Sequence, residues 1–291
     1  MKHHLITGAA SGFGFALART LLSRGDRVMV CDINTAPMEQ LRAFATAPDQ
    51  LTLRQLDVRD PAQWAQTMQA AVRLWPRIDT VMNVAGVLRP DFIADIQPAD
   101  IDLTFDVNTK GAIHGTQAAF RVMRNQSDEN GRGHIINLAS MAGIAPVPGM
   151  SIYSASKFAL RGYSLTIAHE LKQYGISMTV ICPSGADTPM VEPYKHKPQA
   201  ALIFIASLLT IDQVVHVHRQ SCSGQAAYGN LSASSARFAG KVCRQLSLCC
   251  SYPCRIYDSH RSSEPVTSRV KIPESMRPFL QLGSGELLLQ C

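Results

Sequence analysis

Long apolar runs are missing from this chain. The longest, Ala200 to Leu209, is too short to cross a bilayer. No apolar h-region precedes the first strand-like residues, so a secretory leader is not expected. Both absences point to a soluble, cytoplasmic protein without a membrane partner. Paired C-x-x-C spacing is also missing. Six of the eight cysteines fall late (Cys222, Cys243, Cys249, Cys250, Cys254 and Cys291), without the spacing of a zinc site. Cys31 and Cys182 each end an apolar run, as buried thiols do. No basic stripe interleaves with aromatics, which argues against nucleic acid as a partner. The net charge of +6 comes mostly from the end of the chain, where 9 Lys and Arg face 5 Asp and Glu after residue 210.

What the chain does have is alternation. Over its first 185 residues, short β-rich runs take turns with helical patterns. Strands are expected at His4 to Thr7, Arg27 to Cys31, Leu51 to Leu56, Asp79 to Asn83, His134 to Ala139 and Ser177 to Cys182. Helices are expected at Gly12 to Arg24, Pro37 to Phe44, from Asp60-Pro61 onward, around 98–125, and from Tyr153 to Tyr174 with Gly175 as the stop. Strands alternating with helices imply parallel pairing through right-handed crossovers. Most strands are apolar on both faces, as a sheet covered on both sides requires. The expected fold is therefore α/β, a doubly wound, mostly parallel, Rossmann-like sheet.

Periodicity fades near residue 215. The expected division is a regular α/β domain at 1–200, then a further segment and an atypical Ser/Cys/Arg-rich tail at 201–291, and the motifs described next make the first a dinucleotide-binding catalytic domain. The run Ala200 to Ile211 suits a core or pocket-covering helix rather than a membrane anchor. His260 to Ser263 is a loop, and Val266 to Ile272 is the weak candidate for a seventh strand. Such a tail is also what translation out of frame produces, and translating the parent DNA in all three frames tests that.

Three motifs carry chemistry. Thr7-Gly8-Ala9-Ala10-Ser11-Gly12-Phe13-Gly14 follows the first strand directly. Its glycines permit a tight turn and let the backbone approach a pyrophosphate, which the next helix meets with free N–H groups. A P-loop lysine is missing, which disfavours a nucleoside triphosphate. Asp32 ends the second strand, about 20 residues further on, where a carboxylate accepts from ribose hydroxyls and repels a 2′-phosphate. That favours NAD over NADP. Tyr153 and Lys157 lie four apart, on one helix face. A nearby ammonium favours the phenolate and so prepares the tyrosine for proton exchange with an alcohol or carbonyl oxygen.

Taken with Asp57-Val58, Asn83-Val84-Ala85-Gly86, Asn108, Ser140 and Pro183 to Thr188 in the same order, these residues resemble the short-chain dehydrogenase/reductase family over roughly residues 3–195. The resemblance implies an NAD(H)-dependent oxidoreductase acting on a small alcohol or carbonyl substrate. It makes Tyr153 the acid/base, with Lys157 lowering its pKa and binding the nicotinamide ribose. Ser140 holds the reacting oxygen, and Asn108 holds a water in the proton relay. Gly8, Ser11, Gly12, Phe13, Gly14 and Asp32 take the adenosine and pyrophosphate. Asp57 and Val58 touch the adenine, and Asn83, Ala85 and Gly86 line the cleft. Pro183 and Thr188 lie by the nicotinamide. The resemblance also implies a homodimer or homotetramer through the helices at 98–125 and 153–174.

Two local departures stand out: Ser184 where the family has glycine, and Val84 where it has asparagine. The competing reading from another class is an inactive NAD-binding sensor or scaffold. A third is an isomerase or dehydratase on the same fold using a transient hydride; the lack of an evident extended C-terminal substrate domain disfavours its sugar-nucleotide branch. His114, His134, His169 and Glu170 form no metal set at ligand spacing.

Overall fold

The computed structural model describes residues 1–200, apart from 128 and 130, together with Ile203. They fall within one compact unit bounded by Met1–Ser232. Of the expectations above, the late cysteines, the loop at 260–263, the candidate strand at 266–272 and the question of reading frame lie outside the described residues. So does the expected helix from 200 to 211, except for Ala200 and Ile203.

Six strands form a parallel sheet: β1 (His3–Thr7), β2 (Arg27–Asp32), β3 (Leu51–Gln55), β4 (Thr80–Asn83), β5 (Gly133–Leu138) and β6 (Ile176–Ile181). Their order is β3-β2-β1-β4-β5-β6, the doubly wound arrangement. All five pairings are parallel, as the apolar runs and helical crossovers imply.

Alternate residues of the central strands feed two cores. Leu5, Met29, Val81 and Ile135 pack on one face with Trp64, Met68, Met123 and Leu171. Ile6, Val28, Val30, Met82 and Ile136 pack on the other with Leu17, Leu21, Leu22 and Leu41. The period of two is what a sheet buried on both sides demands.

The helices follow local signals. α1 (Gly12–Leu22) rises from the glycine turn. α2 (Pro61–Leu74) starts at Asp60, whose carboxylate accepts from Ala62 N at 2.8 Å and Gln63 N at 3.3 Å. Ala36–Phe44 is a 3₁₀ segment rather than an α-helix. Its buried residues, Met38 and Leu41, are three apart, and the 3₁₀ repeat puts those on one side. The pattern around 98–125 is one helical path: α3 (Pro98–Phe105), a wider π-helical turn (Asp106–Gly111), then α4 (Ala112–Met123). α5 (Ser151–Lys172) ends as expected near Gly175, whose φ of +66° suits glycine.

Because β1 leads to one side of the sheet and β4 to the other, the carboxyl ends of these two strands flank the switch point, where such folds bind ligands. No helix among the described residues is long and apolar enough to cross a membrane.

Candidate active site

The turn after β1 is built on backbone contact. Gly8 has φ +69°, and a Cβ there would lie 2.7 Å from the Cα of Ala85. A Cβ on Gly14 would run into the carbonyl of Gly8, so only glycine lets α1 sit this close to the turn. Ser11 precedes α1 in extended conformation and makes no side-chain cap. The first-turn N–H groups of Gly12, Phe13 and Gly14 have no helical acceptor, and they present the positive end of the helix. Thr188 closes over this turn, its Cβ 3.6 Å from where a side chain on Gly12 would begin.

Asp32 is half-buried at the end of β2. Its Oδ2 accepts from Ala10 N and its Oδ1 from Asn34 N, each at 3.0 Å. A carboxylate oxygen has a second lone pair, so both retain capacity to accept. Asp57 is gripped by Arg59, whose Nε lies 2.9 and 3.0 Å from its two oxygens; this holds the carboxyl below the usual range despite desolvation. Val58 is buried against Gly111, and its carbonyl accepts from Trp64 Nε1 at 3.0 Å.

Asn83 is fully enclosed, and its side chain turns to α4 and β5. Nδ2 donates to Asn137 Oδ1 at 2.8 Å and to Ala112 O and Thr116 Oγ1 at 3.3 Å each. Asn137 in turn donates to Ser164 Oγ of α5 at 2.9 Å. This polar network ties α4 and α5 to the centre of the sheet. The hydroxyl of Thr7 receives the N–H groups of Val84 and Ala85 at 3.1 and 3.2 Å, pinning the two strand ends together.

Ser140, Tyr153, Lys157 and Asn108 gather beyond the carboxyl ends of β4 and β5. Ser140 follows β5; its Oγ accepts from Ala142 N at 3.1 Å and shares a hydrogen bond with the Tyr153 phenol. Lys157, one turn along α5, is buried, and its Nζ donates to Leu138 O at 2.8 Å. It lies 5.7 Å from the centre of the Tyr153 ring. Asn108, in the π-helical turn, is wholly buried. Its Oδ1 accepts from Val87 N at 2.8 Å, and its Nδ2 donates to Val87 O at 2.9 Å and Ser156 Oγ at 3.1 Å. Gly86 lies over both, its position for a Cβ 3.2 Å from Asn108 Oδ1 and 3.6 Å from Lys157 Nζ. Pro183 accepts from Met141 N at 2.8 Å and so fixes the loop after β6 to the loop carrying Ser140.

Burial sets the electrostatics. It pushes the Tyr153 phenol up, Ser140's hydrogen bond pulls the other way, and the Cys182 thiol adds a little upward. The net direction is opposite to what pairing with Lys157 alone implies, because desolvation disfavours the phenolate. The same burial brings Lys157 down to about 8.

Tyr153, Lys157, Ser140, Asn108 and Gly86 thus come together, and Gly8, Gly12, Gly14, Asp32 and Thr188 gather at the glycine turn. Cys182 was not expected here. It lies at the carboxyl end of β6, in contact with the Ser140 N–H and within the field of Lys157 and Arg161. Its place at a strand's carboxyl end was the available signal. Among the described residues no group of His, Cys, Asp or Glu could hold a metal.

These residues fit a dinucleotide. An uncapped helix start faces the glycine turn, and Ser184 has a shielded hydroxyl without a hydrogen-bond partner among the described residues. Fold and site together define an oxidoreductase of the nicotinamide-dependent kind. The short chain dehydrogenase family matches residues 2–199, and the chain belongs to that family. It is 31% identical to an uncharacterised oxidoreductase of Staphylococcus aureus strain N315 over 221 residues, 75% of this chain and 94% of that one. It is 30% identical over the same shares to one from Staphylococcus epidermidis strain RP62A. Among solved structures, levodione reductase superposes with a TM-score of 0.69 at 29% identity, covering 79% of this chain and 93% of that one. The 3-ketoacyl-(acyl-carrier-protein) reductase of Brucella melitensis, complexed with NADH, gives 0.70 at 25% identity, covering 78% and 93%.

Proposed function

We propose that the protein is an NAD(H)-dependent oxidoreductase that interconverts a secondary alcohol and its ketone, with Tyr153 as acid/base. The observation that carries this is the convergence of Ser140 and Lys157 on Tyr153 beside Gly86 and Asn108. A bound nicotinamide supplies the hydride donor or acceptor. In reduction, the neutral phenol of Tyr153 protonates the carbonyl oxygen while Ser140 holds that oxygen by a hydrogen bond. In oxidation the phenol must first lose its proton, and the Lys157 ammonium supports the anion. Lys157 also holds the nicotinamide ribose. The amide of Asn108 braces the backbone of Val87, and so the loop that carries Gly86.

Asp32 supports NAD over NADP, since a carboxylate at the end of the second strand would accept from the ribose hydroxyls and repel a 2′-phosphate. Ile101 of α3 with Phe158 and Leu165 of α5, each 40% exposed, supports a homodimer or homotetramer through these helices. A cytoplasmic location would keep the free thiols Cys31 and Cys182 reduced. Screening secondary alcohols with NAD⁺, by absorbance of the reduced cofactor, tests the reading. Cofactor binding without turnover of any alcohol or ketone would favour a sensor or scaffold instead. Sedimentation equilibrium showing only monomer at micromolar concentration would remove the assembly.

A further inference from the structure

Between Tyr153 and Lys157 on α5 stands Ser156, wholly buried. Its hydroxyl carries one proton, and that proton goes to Tyr153 O at 2.7 Å. Any further partner must therefore meet the oxygen as a donor. The partner is Asn108 Nδ2 at 3.1 Å. The next residue of the π-helical turn reaches Ser156 as well, since Thr109 Oγ1 donates to Ser156 O at 3.0 Å. In an α-helix neighbouring side chains diverge by about 100°. A π-helical turn holds more residues, so that angle narrows, and Asn108 and Thr109 converge on one residue of α5.

Asn108 is fully engaged as a donor. One Nδ2 hydrogen goes to Ser156 Oγ and the other to Val87 O at 2.9 Å, while Oδ1 receives Val87 N–H at 2.8 Å. An amide turned the other way would set Nδ2 against the Val87 N–H. It would also set Oδ1 against a hydroxyl whose proton is already given to Tyr153. Ser156 and Val87 thus fix the amide from opposite sides. Gly86 precedes Val87, and a Cβ there would lie 3.2 Å from Asn108 Oδ1 and 3.6 Å from Lys157 Nζ. The loop after β4 therefore runs close over the ammonium. Its place is tied by one relay, through Asn108 and Ser156, to the carbonyl of Tyr153.

We propose that Ser156 is a positioning residue, whose hydroxyl sets the Asn108 amide and through it the Gly86–Val87 loop against the turn of α5 that carries Tyr153 and Lys157. The inference rests on the oxidoreductase reading for the turnover it serves. Removing the hydroxyl leaves a buried Asn108 N–H without its acceptor, which is costly. The amide recovers a partner only by moving, and Val87 moves with it. α5 itself keeps its helix, since alanine is the best helix former.

The test compares Ser156→Ala with Thr109→Val in the full chain. Each cuts the link between the π-helical turn and α5, but only the first touches the relay. Hydrogen exchange, followed by mass spectrometry, reads the peptide that holds Val87. Kinetics use the alcohol turned over fastest in the screen above. Ser156→Ala should speed exchange at Val87 and lower kcat, each by about tenfold or more, with KM for the alcohol within about twofold. Thr109→Val should lower the urea midpoint and leave exchange at Val87 and kcat within about twofold. Added to Asn108→Ala, the Ser156→Ala change should lower kcat no further, because the two residues act in series. Unchanged exchange or unchanged kcat in Ser156→Ala would overturn the proposal. Equal effects of Ser156→Ala and Thr109→Val, or additive losses in the double variant, would do the same. The two readings fail separately. Faster Val87 exchange in Ser156→Ala, with no alcohol or ketone turned over by the unaltered protein, keeps the relay and removes the oxidoreductase. Normal turnover and normal exchange in Ser156→Ala do the reverse.

Discussion

Lys157 Nζ donates to the carbonyl of Leu138 at 2.8 Å, joining the first turns of α5 to the last residue of β5. That bond sets how deep the ammonium lies, and depth sets its titration. At about 8 the group is charged at neutral pH and loses its charge in mildly alkaline solution. Ketone reduction needs a neutral phenol, which burial of Tyr153 favours, and it draws on the Lys157 charge. The rate of reduction is expected to hold below about pH 8 and to fall above it. A profile of kcat/KM flat to pH 10 would remove Lys157 from this role.

Replacing Tyr153 by Phe removes the acid and leaves the ring. Turnover should drop by about 10²–10⁴-fold, the range for a general acid–base group. Cofactor affinity, measured by titration, should hardly change. Lys157→Ala should lower both, because the same side chain is assigned to the ribose. A Tyr153→Phe protein of near-normal activity would overturn the assignment.

Asp32→Ala should narrow the preference for NAD(H) over NADP(H). The carboxylate also receives the Ala10 and Asn34 N–H groups, so some loosening of the glycine turn should weaken both cofactors. Calorimetric titration of each cofactor separates the effects. Tighter NADP(H) binding by the unaltered protein would contradict the role given to Asp32.

His134 makes stability depend on acidity. Burial brings its pKa down to about 4 from 6.5, and its Nε2 meets Thr179 Oγ1 at 2.8 Å. Between those values the unfolded chain binds a proton that the folded chain does not, so stability falls as pH drops from 6.5 toward 4. The gap corresponds to about 3 kcal/mol. Burial shifts His3 in the same direction. Urea unfolding at pH 7 and pH 5 should show the loss, and His134→Gln should flatten it. An unchanged slope in that variant would assign the acid sensitivity elsewhere.

The parallel sheet, the glycine turn and the Tyr153–Lys157 face were legible in the sequence because each is a local pattern. A strand's period, a turn's need for positive φ and a spacing of four on a helix are properties of neighbouring residues. The end of β2 at Asp32 and the Gly8–Gly14 turn after β1 were legible for the same reason. What needed the tertiary structure were contacts between distant segments. Nothing in Asn83-Val84-Ala85-Gly86 says that Asn83 turns to Asn137 and Thr116, or that Thr7 receives the next two N–H groups. Nothing near Arg89 names Tyr194, more than a hundred residues on. The order of strands decides which loops meet at the switch point, and burial there decides each group's charge. The sequence by itself determined that a tyrosine and a lysine share one face. Only the packing of α5 on β5 decided that both would be desolvated, which raises the phenol and lowers the ammonium.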